Sequence, residues 1–415
     1  MSLEHRLATE LGRLGLPPCR LVLGVSGGPD SLALLHLMDQ VALPLGFELV
    51  VAHADHRLHP DSQAVAALVA RCAESLALPV VIGQLDLAPG AGESEARTAR
   101  HAWLERVRID QGATYLVLGH QRDDQAETVL MRVLAGSGPA GLAAMAAVQG
   151  TVVRPLLAFS RRELADHVAA IGWRPWDDPA NTDPRHTRSW LRSVVLPQVA
   201  ARDPAVADRL VGAAAQAATG RQAWDAVLDL LPGLAPTAEP EGVSFAAAPL
   251  MGYHSGLAQT LIQAAGRRAG AVVGPAAAGR VLAMIQAGRS GAWVPLGGGW
   301  RAELAFGRVR IVPDAPPSGF PAREVGREAA GVAACGPRRL RWSRELAPEW
   351  IPRDGWTSWF IPGAYTLRAW TAGDQLRPLG GVGRRLAVRC LQDARVPRTD
   401  RATWPVLTAA DHGPL

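Results

Sequence analysis

The sequence predicts an α/β fold: an N-terminal domain built on a doubly wound parallel sheet, a mainly helical middle domain and a small α+β C-terminal domain. Short apolar runs typical of buried parallel strands recur in the N-terminal part, and helical patterns of about ten or more residues separate most of them. Beyond residue 200 the sequence becomes Ala-rich and helical, and later mixes strands with one helix. We therefore predict domains over residues 1–200, 201–321 and 322–415, at about 150 residues per domain.

The N-terminal elements follow one another in a regular order. Residues 3–15 form an amphipathic helix, Leu21 to Val25 form the first strand, and residues 32–38 carry apolar side chains at helical spacing. Further strands are predicted over residues 47–53, 79–85 and 115–119, with a weaker one over 151–156. Right-handed crossovers would place these strands in one parallel sheet, whose ligands bind beyond the carboxyl ends of the strands.

The segment between the first strand and its helix reads SGGPDS and has the composition of a phosphate cradle. Gly27 and Gly28 let backbone N–H groups approach a ligand, and the following helix adds the positive end of its dipole. The hydroxyl groups of Ser26 and Ser31 are further donors. Asp30 would repel a bare phosphate, so its presence indicates a bridging Mg²⁺. A Gly-rich β-to-α turn with two capping serines is the alternative.

All 43 basic residues are Arg, and no Lys occurs at any of the 415 positions. This excludes a Walker-type P-loop, a kinase strand lysine, a pyridoxal Schiff base and a lysyl-adenylate intermediate. The formal charge of +5 and the pI near 9.5 favour a polyanionic partner, although compositional bias of the genome explains Arg-only usage equally well. Any nucleotide loop must therefore be of another type.

Candidate ligand-contacting residues follow the second and third strands. The segment from His53 to His59 comes directly after the second strand. Its clustered histidines allow a zinc site, but without spaced cysteines a nucleotide-contacting loop that includes His53 is favoured. Arg97 and Arg100 are three apart in a strongly helical stretch and share a face. They form either a solvated face or an anion-binding pair.

Asp124 and Glu127 form a pair of carboxylates in the first turn of the helix after the fourth strand. Their spacing puts both on one side of the helix, near the carboxyl edge of the sheet. Acidic residues are common in the first turn of a helix because they interact favourably with its dipole, at roughly 0.3–1 kcal/mol each. This does not explain why two of them lie beside a candidate nucleotide loop. We therefore favour a site for an ammonium group or Mg²⁺.

Two arginine-bearing stretches are candidates for contact with a polyanion. Residues 176–192, with Arg188 and Arg192, are polar and Pro-interrupted, which suits such contact or an interdomain linker. The C-terminal portion interleaves arginines with Trp370 and Trp404, as expected of a surface that grips phosphates and stacks on bases, or it is a merely basic, solvated face. Its arginines are Arg368, Arg377, Arg384, Arg385, Arg389, Arg395, Arg398 and Arg401.

Cysteine usage and hydropathy indicate the compartment. Cys19, Cys72, Cys335 and Cys390 are far apart and form no Cys-x-x-Cys pair, which is typical of free thiols in a reducing cytoplasm. The chain shows neither a secretory leader pattern nor an apolar run of about 18 residues. We expect a cytoplasmic protein without membrane contact, and the oligomeric state, a homodimer included, stays open.

Several motifs line up in order with one family. The SGGPDS loop resembles that of the PP-loop ATP pyrophosphatases, which cleave ATP between the α and β phosphates, and the whole set resembles the bacterial tRNA(Ile)-lysidine synthetases. The N-terminal motifs are Ser26 to Ser31, His53 to Leu58, Glu95-Ala96-Arg97-x-x-Arg100, Gly119-His120-x-x-Asp123-Asp124-Gln125-x-Glu127-Thr128, Gly136-x-Gly138-x-x-Gly141-Leu142 and Trp176-x-Asp178-x-x-Asn181. A weaker similarity covers Arg368 to Asp374, Pro378, Gln392 to Pro397, Arg401 and Pro405-Val406.

The resemblance implies an ATP-dependent ligation with Mg²⁺. ATP would adenylate the C2 carbonyl oxygen of the wobble cytidine in a tRNA(Ile) with a CAU anticodon, and the ε-amine of free L-lysine would then displace AMP. Arg97 or Arg100 would stabilise the leaving pyrophosphate, and Asp124 and Glu127 would receive the lysine. The residues implied to bind pyrophosphate and Mg²⁺ are Ser26, Gly27, Gly28, Asp30 and Ser31. Those implied to contact tRNA are Arg188, Arg192, Arg368, Arg377, Arg384 and Arg385.

Three departures from the family pattern concern tRNA docking more than ATP chemistry. His59 stands where the family commonly has Arg, and Ser189 follows Arg188 where Asn is common. The chain also stops at Leu415, near the position expected for the family's last strand, so we expect either a truncated terminus or a further segment.

Two alternative functions remain in view. Another PP-loop tRNA-modifying enzyme, such as a thiolase, would want a cysteine pair or an iron–sulfur site. A catalytically inactive paralogue that only binds tRNA would have no need for Asp30, Asp124 and Glu127 together. Release of pyrophosphate on mixing with ATP and tRNA would dismiss the second alternative.

Overall fold

The computed structural model describes most of the chain. The residues outside the description are 58–60, 86, 88–91, 178–186, 240, 315–318, 337, 347–356, 360–362, 377–382, 410–412 and 415. The chain falls into two compact units, Met1–Arg221 and Gln222–Leu415. The three domains drawn from the sequence do not coincide with these units, and their boundaries stay a prediction.

The first unit is built on a six-stranded sheet. Its strands are β1 Arg20–Gly24, β2 Glu48–Asp55, β3 Val80–Gln84, β4 Tyr115–Leu118, β5 Val148–Gln149 and β6 Val152–Val153. They lie in the order β3-β2-β1-β4-β6-β5, and all neighbours are parallel except β5 and β6. The predicted doubly wound parallel sheet is therefore confirmed, with an antiparallel strand added at one edge.

Helices precede, connect and follow the strands of this sheet. They are α1 Leu3–Leu14, α2 Pro29–Leu45, α3 Ser62–Ser75, α4 Glu93–Asp110, α5 Arg122–Leu134, α6 Arg161–Ala170, α7 Thr187–Trp190, α8 Leu196–Ala200 and α9 Val206–Leu230, which continues into the second unit. A 3-10 helix covers Pro139–Ala143 and a π-helix covers Leu191–Val195. No helix in the described parts of the chain is long and apolar enough to cross a bilayer.

Two strands end at positions other than those predicted. β2 continues through Asp55, because Ala54 and Asp55 pair with Gly83 and Gln84 of β3. The strand predicted over residues 151–156 is reduced to Val152–Val153. Pro155 has no N–H for a ladder hydrogen bond, so the pairing cannot continue through it.

The two faces of the sheet have separate cores. On one face Val117 and Val153 pack with apolar residues of α1, α2 and α6. On the other face Leu116 and Leu118 pack with Leu104 of α4. Successive residues of a strand point to opposite faces, so the parity of a residue decides which core, and which side of the carboxyl edge, its side chain reaches.

The second unit combines helices with antiparallel sheets. Its elements after α9 are β7 Thr237–Glu239, β8 Gly242–Ala246, α10 Ala248–Met251, α11 Ser255–Arg268, α12 Pro275–Ala287, β9 Trp293–Gly297, β10 Trp300–Ala305, β11 Arg308–Pro313, β12 Arg323–Val325, β13 Ala330–Cys335, β14 Arg338–Ser343, β15 Tyr365–Ala369, β16 Gln375–Leu376, β17 Arg385–Leu386, α13 Ala387–Asp393, a 3-10 helix Thr399–Thr403, β18 Pro405–Ala409 and β19 Gly413–Pro414. A sheet of order β7-β8-β11-β10-β9 shares a core with α11 and α12. The helical middle region and the α+β C-terminal part are confirmed, although the sequence did not predict β7 and β8.

A buried ion-pair network ties the middle and C-terminal portions of the second unit together. Arg310 of β11 donates to the carboxylate of Glu239 at 2.6 Å and to that of Asp400 at 3.0 Å. Thr399 donates to Glu303 at 2.8 Å. Removing the C-terminal portion would leave a buried arginine without part of its counter-charge, which is costly. Point substitutions are therefore a better probe of that portion than deletion.

Candidate functional site

The loop at the carboxyl end of β1 has the backbone of an anion cradle. Gly27 has a φ of +87°, and a Cβ there would lie 2.6 Å from Cγ1 of Val65, so only glycine fits. Gly28 is the N-cap of α2 and Pro29 is its first residue, and no side chain caps this helix end. The first N–H groups of α2 are therefore open to an anion.

The two serines of the loop have different tasks. The hydroxyl of Ser31 donates to the carbonyl of Gly28 at 2.9 Å and accepts from the N–H of Ser26 at 3.1 Å. Ser31 is buried, whereas Ser26 is exposed. Ser31 therefore holds the shape of the loop, and the hydroxyl of Ser26 is the one that can reach a ligand.

Asp30 presents its carboxylate at the same edge of the sheet. Its Oδ2 accepts from Nε2 of Gln121 at 3.4 Å, and its Oδ1 is buried without a hydrogen-bond partner among the described residues. Burial raises the pKa of Asp30, and the nearby charge of Asp124 raises it further, to about 6. A poorly stabilised carboxylate oxygen beside an anion cradle fits Mg²⁺, which commonly takes one or two carboxylates and shares substrate phosphates.

An open cleft with a cavity volume of about 180 Å³ lies between this loop and α4. Ala52 and Ala54 of β2, Leu104 of α4 and Leu118 of β4 form its apolar walls. The side chains from β2 and β4 come from the sheet face that α4 covers. The mixture of apolar walls with a few polar groups is typical of a small-molecule site.

His53 does not line this cleft. It lies inside β2 with a parity opposite to that of Ala52 and Ala54, and its Nδ1 is 2.8 Å from the carbonyl oxygen of Val25. Burial lowers the pKa of His53. The structure therefore corrects the prediction that included His53 in a ligand-contacting loop, because His53 lies inside β2 and its side chain points to the other face of the sheet. Of the described histidines in this segment, His56 is the one that lines the cleft.

The wall of the cleft that α4 forms is basic. Arg100 and His101 line it, and Arg97, one turn earlier, is exposed. His120 also lines the cleft, with its Nδ1 buried and without a hydrogen-bond partner among the described residues. Burial lowers the pKa of His120, and four arginine charges, that of Arg154 first, lower it further, to about 3. His120 is therefore neutral, and the arginines supply the positive charge that favours an anion.

Asp124 and Glu127 lie on one side of α5, but arginines occupy both carboxylates. Glu127 is 0 % exposed. Its Oε1 accepts from Arg161 Nη2 at 2.9 Å and Arg192 Nε at 2.7 Å. Its Oε2 accepts from Arg188 Nε at 2.8 Å and Arg192 Nη2 at 3.0 Å. Because a carboxylate offers about four acceptor positions, those of Glu127 are filled.

The carboxylate–arginine cluster consists of Asp124, Glu127, Arg161, Arg188 and Arg192. All three arginines also reach Oδ1 of Asp124, at 3.2 to 3.4 Å. Oδ2 of Asp124 accepts from the N–H of Gln121 in the capping box of α5. Burial alone would raise the pKa of Glu127, but the hydrogen bonds and charges of the three arginines outweigh it and hold this pKa at about 2. Glu127 is therefore ionised.

Arg188 and Arg192 were predicted to contact tRNA, and the structure places them in this cluster instead. Arg188 is carried by α7 and Arg192 by the π-helix that follows. Their forks are turned inward because Glu127 is a buried charge that needs partners. Contact of these two arginines with tRNA stays a prediction, and it would have to compete with the ion pairs. Asp178 and Asn181 of the preceding motif lie outside the described residues.

The C-terminal arginines differ in whether a carboxylate pairs with the guanidinium group and in how exposed they are. Arg368 is held bidentately by Asp374, at 2.7 and 2.8 Å. Arg385 forms an ion pair with Asp393, in which both side chains are largely exposed. Arg384 is exposed, and Arg377 lies outside the described residues. Arg368 therefore has a structural partner, whereas Arg384 points into solvent.

Sequence reasoning did not predict Arg161 and Gln121 as members of the site, and it named His120 only as part of a motif, without a role. A signal for Arg161 existed, since Ser160 and Glu163 have the spacing of a capping box, and the structure shows that box at the start of α6. A helix that begins there places Arg161 in its first turn. His120 and Gln121 follow β4 after a single glycine, at the carboxyl edge where ligands of such sheets bind.

The chain is similar to known proteins along nearly its whole length. Residues 3–199 match a family model described as a PP-loop domain, and residues 365–412 match one described as the TilS substrate C-terminal domain. A tRNA(Ile)-lysidine synthase from Symbiobacterium thermophilum is 32 % identical over 457 residues, which cover 99 % of this chain and 92 % of that protein. One from Solibacter usitatus is 31 % identical, over 94 % of this chain and 91 % of that protein. One from Xanthomonas axonopodis pv. citri is 42 % identical over 48 % of this chain and 46 % of that protein.

Proposed function

Because this chain belongs to the tRNA(Ile)-lysidine synthases and catalyses the formation of lysidine in tRNA(Ile), we propose that it acts in two steps on a tRNA with a CAU anticodon. In the first step, the C2 carbonyl oxygen of the wobble cytidine attacks the α phosphate of ATP, the bond between the α and β phosphates breaks, and pyrophosphate leaves. In the second step, the ε-amine of free L-lysine attacks C2 and loses a proton, the C2–O bond breaks, and AMP leaves.

The first step is assigned to the loop and the cleft of the PP-loop domain, which binds ATP. The N–H groups at the start of α2 and the hydroxyl of Ser26 would bind phosphate oxygens. Arg97 and Arg100 would neutralise the charge that develops on the leaving pyrophosphate. Mg²⁺, when bound, supplies further charge neutralisation at the phosphates, and Asp30 is the residue that would hold it.

The second step is assigned to the carboxylate–arginine cluster. Asp124 and Glu127 would recognise the ammonium group of lysine and align its amine for attack. Asp124 is close enough to Asp30 to raise the pKa of that residue, so the cluster adjoins the loop. This adjacency of an anion cradle and a carboxylate pair carries the proposal, since the reaction needs a triphosphate and an ammonium substrate side by side.

The test is mass spectrometry of nucleosides from a CAU-anticodon tRNA(Ile) after incubation with the protein, ATP, Mg²⁺ and lysine. We expect a modified cytidine heavier by one lysine less one water, with release of pyrophosphate and AMP. A product that carries sulfur would support a thiolase instead. Binding of the tRNA without release of pyrophosphate would support an inactive paralogue.

We expect the exposed C-terminal arginines to supply affinity for the body of the tRNA. Replacing Arg384, Arg389, Arg395 and Arg398 together by Gln should weaken tRNA binding, because phosphate contacts position a nucleic acid without specifying bases. The slope of log affinity against log salt should fall by roughly 0.7–0.9 for each phosphate that an arginine no longer neutralises. Titrations of labelled tRNA at several salt concentrations measure this slope.

The matched control for this experiment is Arg289→Gln, which removes another exposed arginine of the second unit. ATP binding should be unchanged in both proteins. If the variant with all four substitutions binds tRNA as tightly as the parent protein at every salt concentration, the C-terminal arginines do not supply the affinity for tRNA. The segment of residues 176–192 would then be the better candidate.

A further inference from the structure

Arg154 has a position in the site that the proposed roles do not use. β4 and β6 pair in parallel, with Leu116 beside Val152 and Val117 beside Val153. Continuing this register by one residue puts Arg154 beside Leu118. Val153 faces the core with α2, so Arg154, one residue later, faces the side that α4 covers. This is the side on which Leu118 lines the cleft.

The hydrogen bonds of Arg154 leave its charge unbalanced. Its backbone N–H donates to the carbonyl of Ala147 at 2.7 Å, and its Nη1 donates to the carbonyl of Ala146 at 3.0 Å. Its Nε is buried and has no hydrogen-bond partner among the described residues. No described carboxylate forms an ion pair with it. A half-buried cation whose only side-chain hydrogen bond is to a neutral carbonyl is costly unless an anion joins it.

The neighbours of Arg154 add to this positive charge. The charge of Arg154 lowers the pKa of His101 and of His120. Burial lowers the pKa of Arg154 itself, and the charge of Arg97 lowers it further. Arg97, Arg100 and Arg154 therefore converge between the first turns of α4 and the ends of β4 and β6. An anion bound among these three arginines would balance their charge and could accept a hydrogen bond from Nε of Arg154.

We propose that Arg154 binds the pyrophosphate end of ATP, opposite Arg97, and holds the pyrophosphate as it leaves. This proposal rests on the proposed adenylation step, to which it adds a further anion-binding residue. The pyrophosphate carries several charges in one small group, which suits converging guanidinium forks better than the single charge of an RNA phosphodiester does. With no lysine in the chain, arginines must supply all fixed side-chain cations that face this group.

The test compares Arg154→Gln with the parent protein, with product inhibition by inorganic pyrophosphate as the first readout. We expect the inhibition constant for pyrophosphate to rise about 10- to 100-fold, the range for loss of a hydrogen bond between charged groups. The inhibition constant for AMP and the affinity for tRNA should stay within about twofold. Arg154→Lys keeps the charge without the fork and should give an intermediate constant.

Arg132→Gln is the matched control, because Arg132 is also a half-buried arginine whose Nη1 donates to a backbone carbonyl, that of Gly141. The thermal stability of Arg154→Gln should not fall, since the arginine lacks a counter-charge in the ligand-free protein. An unchanged inhibition constant for pyrophosphate overturns the proposal in either of two cases. If the affinity for tRNA falls, Arg154 contacts an RNA phosphate instead. If the affinity for tRNA stays the same, Arg154 binds neither ligand. Calorimetric binding of pyrophosphate with Mg²⁺ tests the site even if no lysidine is formed.

Discussion

Asp30→Asn is expected to abolish pyrophosphate release and at the same time to stabilise the ligand-free protein. The rate should fall by about 10²–10³-fold, equivalent to roughly 3–4 kcal/mol of transition-state stabilisation, because the loop loses the charge that would hold Mg²⁺. The unfolding free energy should rise by about 1–3 kcal/mol, since Asn is not ionised and removes a buried charge whose pKa is raised to about 6. A pyrophosphate-release assay and thermal or denaturant unfolding measure the two effects.

The stability gain from Asp30→Asn should depend on pH in a defined window. The unfolded chain ionises Asp30 near its ordinary pKa of 3.8, and the folded chain does so only near 6. Between these values the folded state binds the extra proton, so the parent protein loses stability as pH rises. The difference in unfolding free energy between Asp30→Asn and the parent protein should therefore be largest above pH 6 and should disappear below about pH 4.

Asp39→Asn is the control, because it makes the same chemical change further along α2, where Asp39 accepts from its neighbour Gln40. Turnover like that of the parent in Asp30→Asn would refute the assignment of Asp30 to the metal. A stability difference that does not change with pH would refute the assignment of its raised pKa to burial.

The loop was predictable from the sequence because local requirements determine it. An apolar run makes β1, Gly27 is required by a positive φ and by the closeness of Val65, and Pro29 starts α2. The position of His53 was not predictable in the same way. The end of β2 depends on pairing with β3, which is about thirty residues away. The register of that pairing decides which face of the sheet the His53 side chain reaches, and local sequence does not contain that information.

The partners of Glu127 were beyond local reasoning altogether. Arg161, Arg188 and Arg192 are 34, 61 and 65 residues away from it along the chain. Spacing correctly predicts that Asp124 and Glu127 share a side of α5, but it carries no information on what that side faces. Only the packing of α6, α7 and the π-helix onto α5 brings three guanidinium groups to one buried carboxylate.

Filled acceptor positions on Glu127 change how lysine must bind. The three arginines of the cluster equal in number the three acidic side chains Asp30, Asp124 and Glu127, and all three arginines hydrogen-bond Glu127. An added ammonium group can reach Glu127 only by replacing a guanidinium hydrogen bond. The proposed lysine site is therefore not an empty acidic pocket. The ammonium group of lysine must replace a guanidinium group on the carboxylate.

Arg192→Gln should consequently lower the KM for lysine, or leave it unchanged, at saturating tRNA. Arg192 makes two of the four hydrogen bonds to Glu127, so its removal frees acceptor positions while Arg161 and Arg188 still balance the carboxylate. Steady-state lysidine formation at varied lysine measures the change. A KM for lysine that rises at saturating tRNA would contradict the exchange and would make Arg192 part of the lysine site.

Glu127→Gln should raise the KM for lysine by about 10- to 100-fold, since a charge-assisted contact to an ammonium group contributes about 1.5–3 kcal/mol. The KM for ATP should change by less than about threefold. The variant should also lose roughly 3–5 kcal/mol of stability, because it leaves three converging arginines short of a buried counter-charge. Lysine and ATP titrations of lysidine formation, together with unfolding, measure these effects.

Two further variants separate recognition of lysine from support of the fold. Asp124→Asn removes the carboxylate whose hydrogen bonds to the arginines are longer, so it should raise the KM for lysine with a smaller loss of stability. Glu105→Gln, which breaks the ion pair with Arg108 on α4 at 2.6 Å, is the control and should leave both KM values unchanged. If Glu127→Gln and Asp124→Asn lower stability but not lysine affinity, the two carboxylates serve only to organise the arginines. If they weaken ATP as much as lysine, they hold the metal instead.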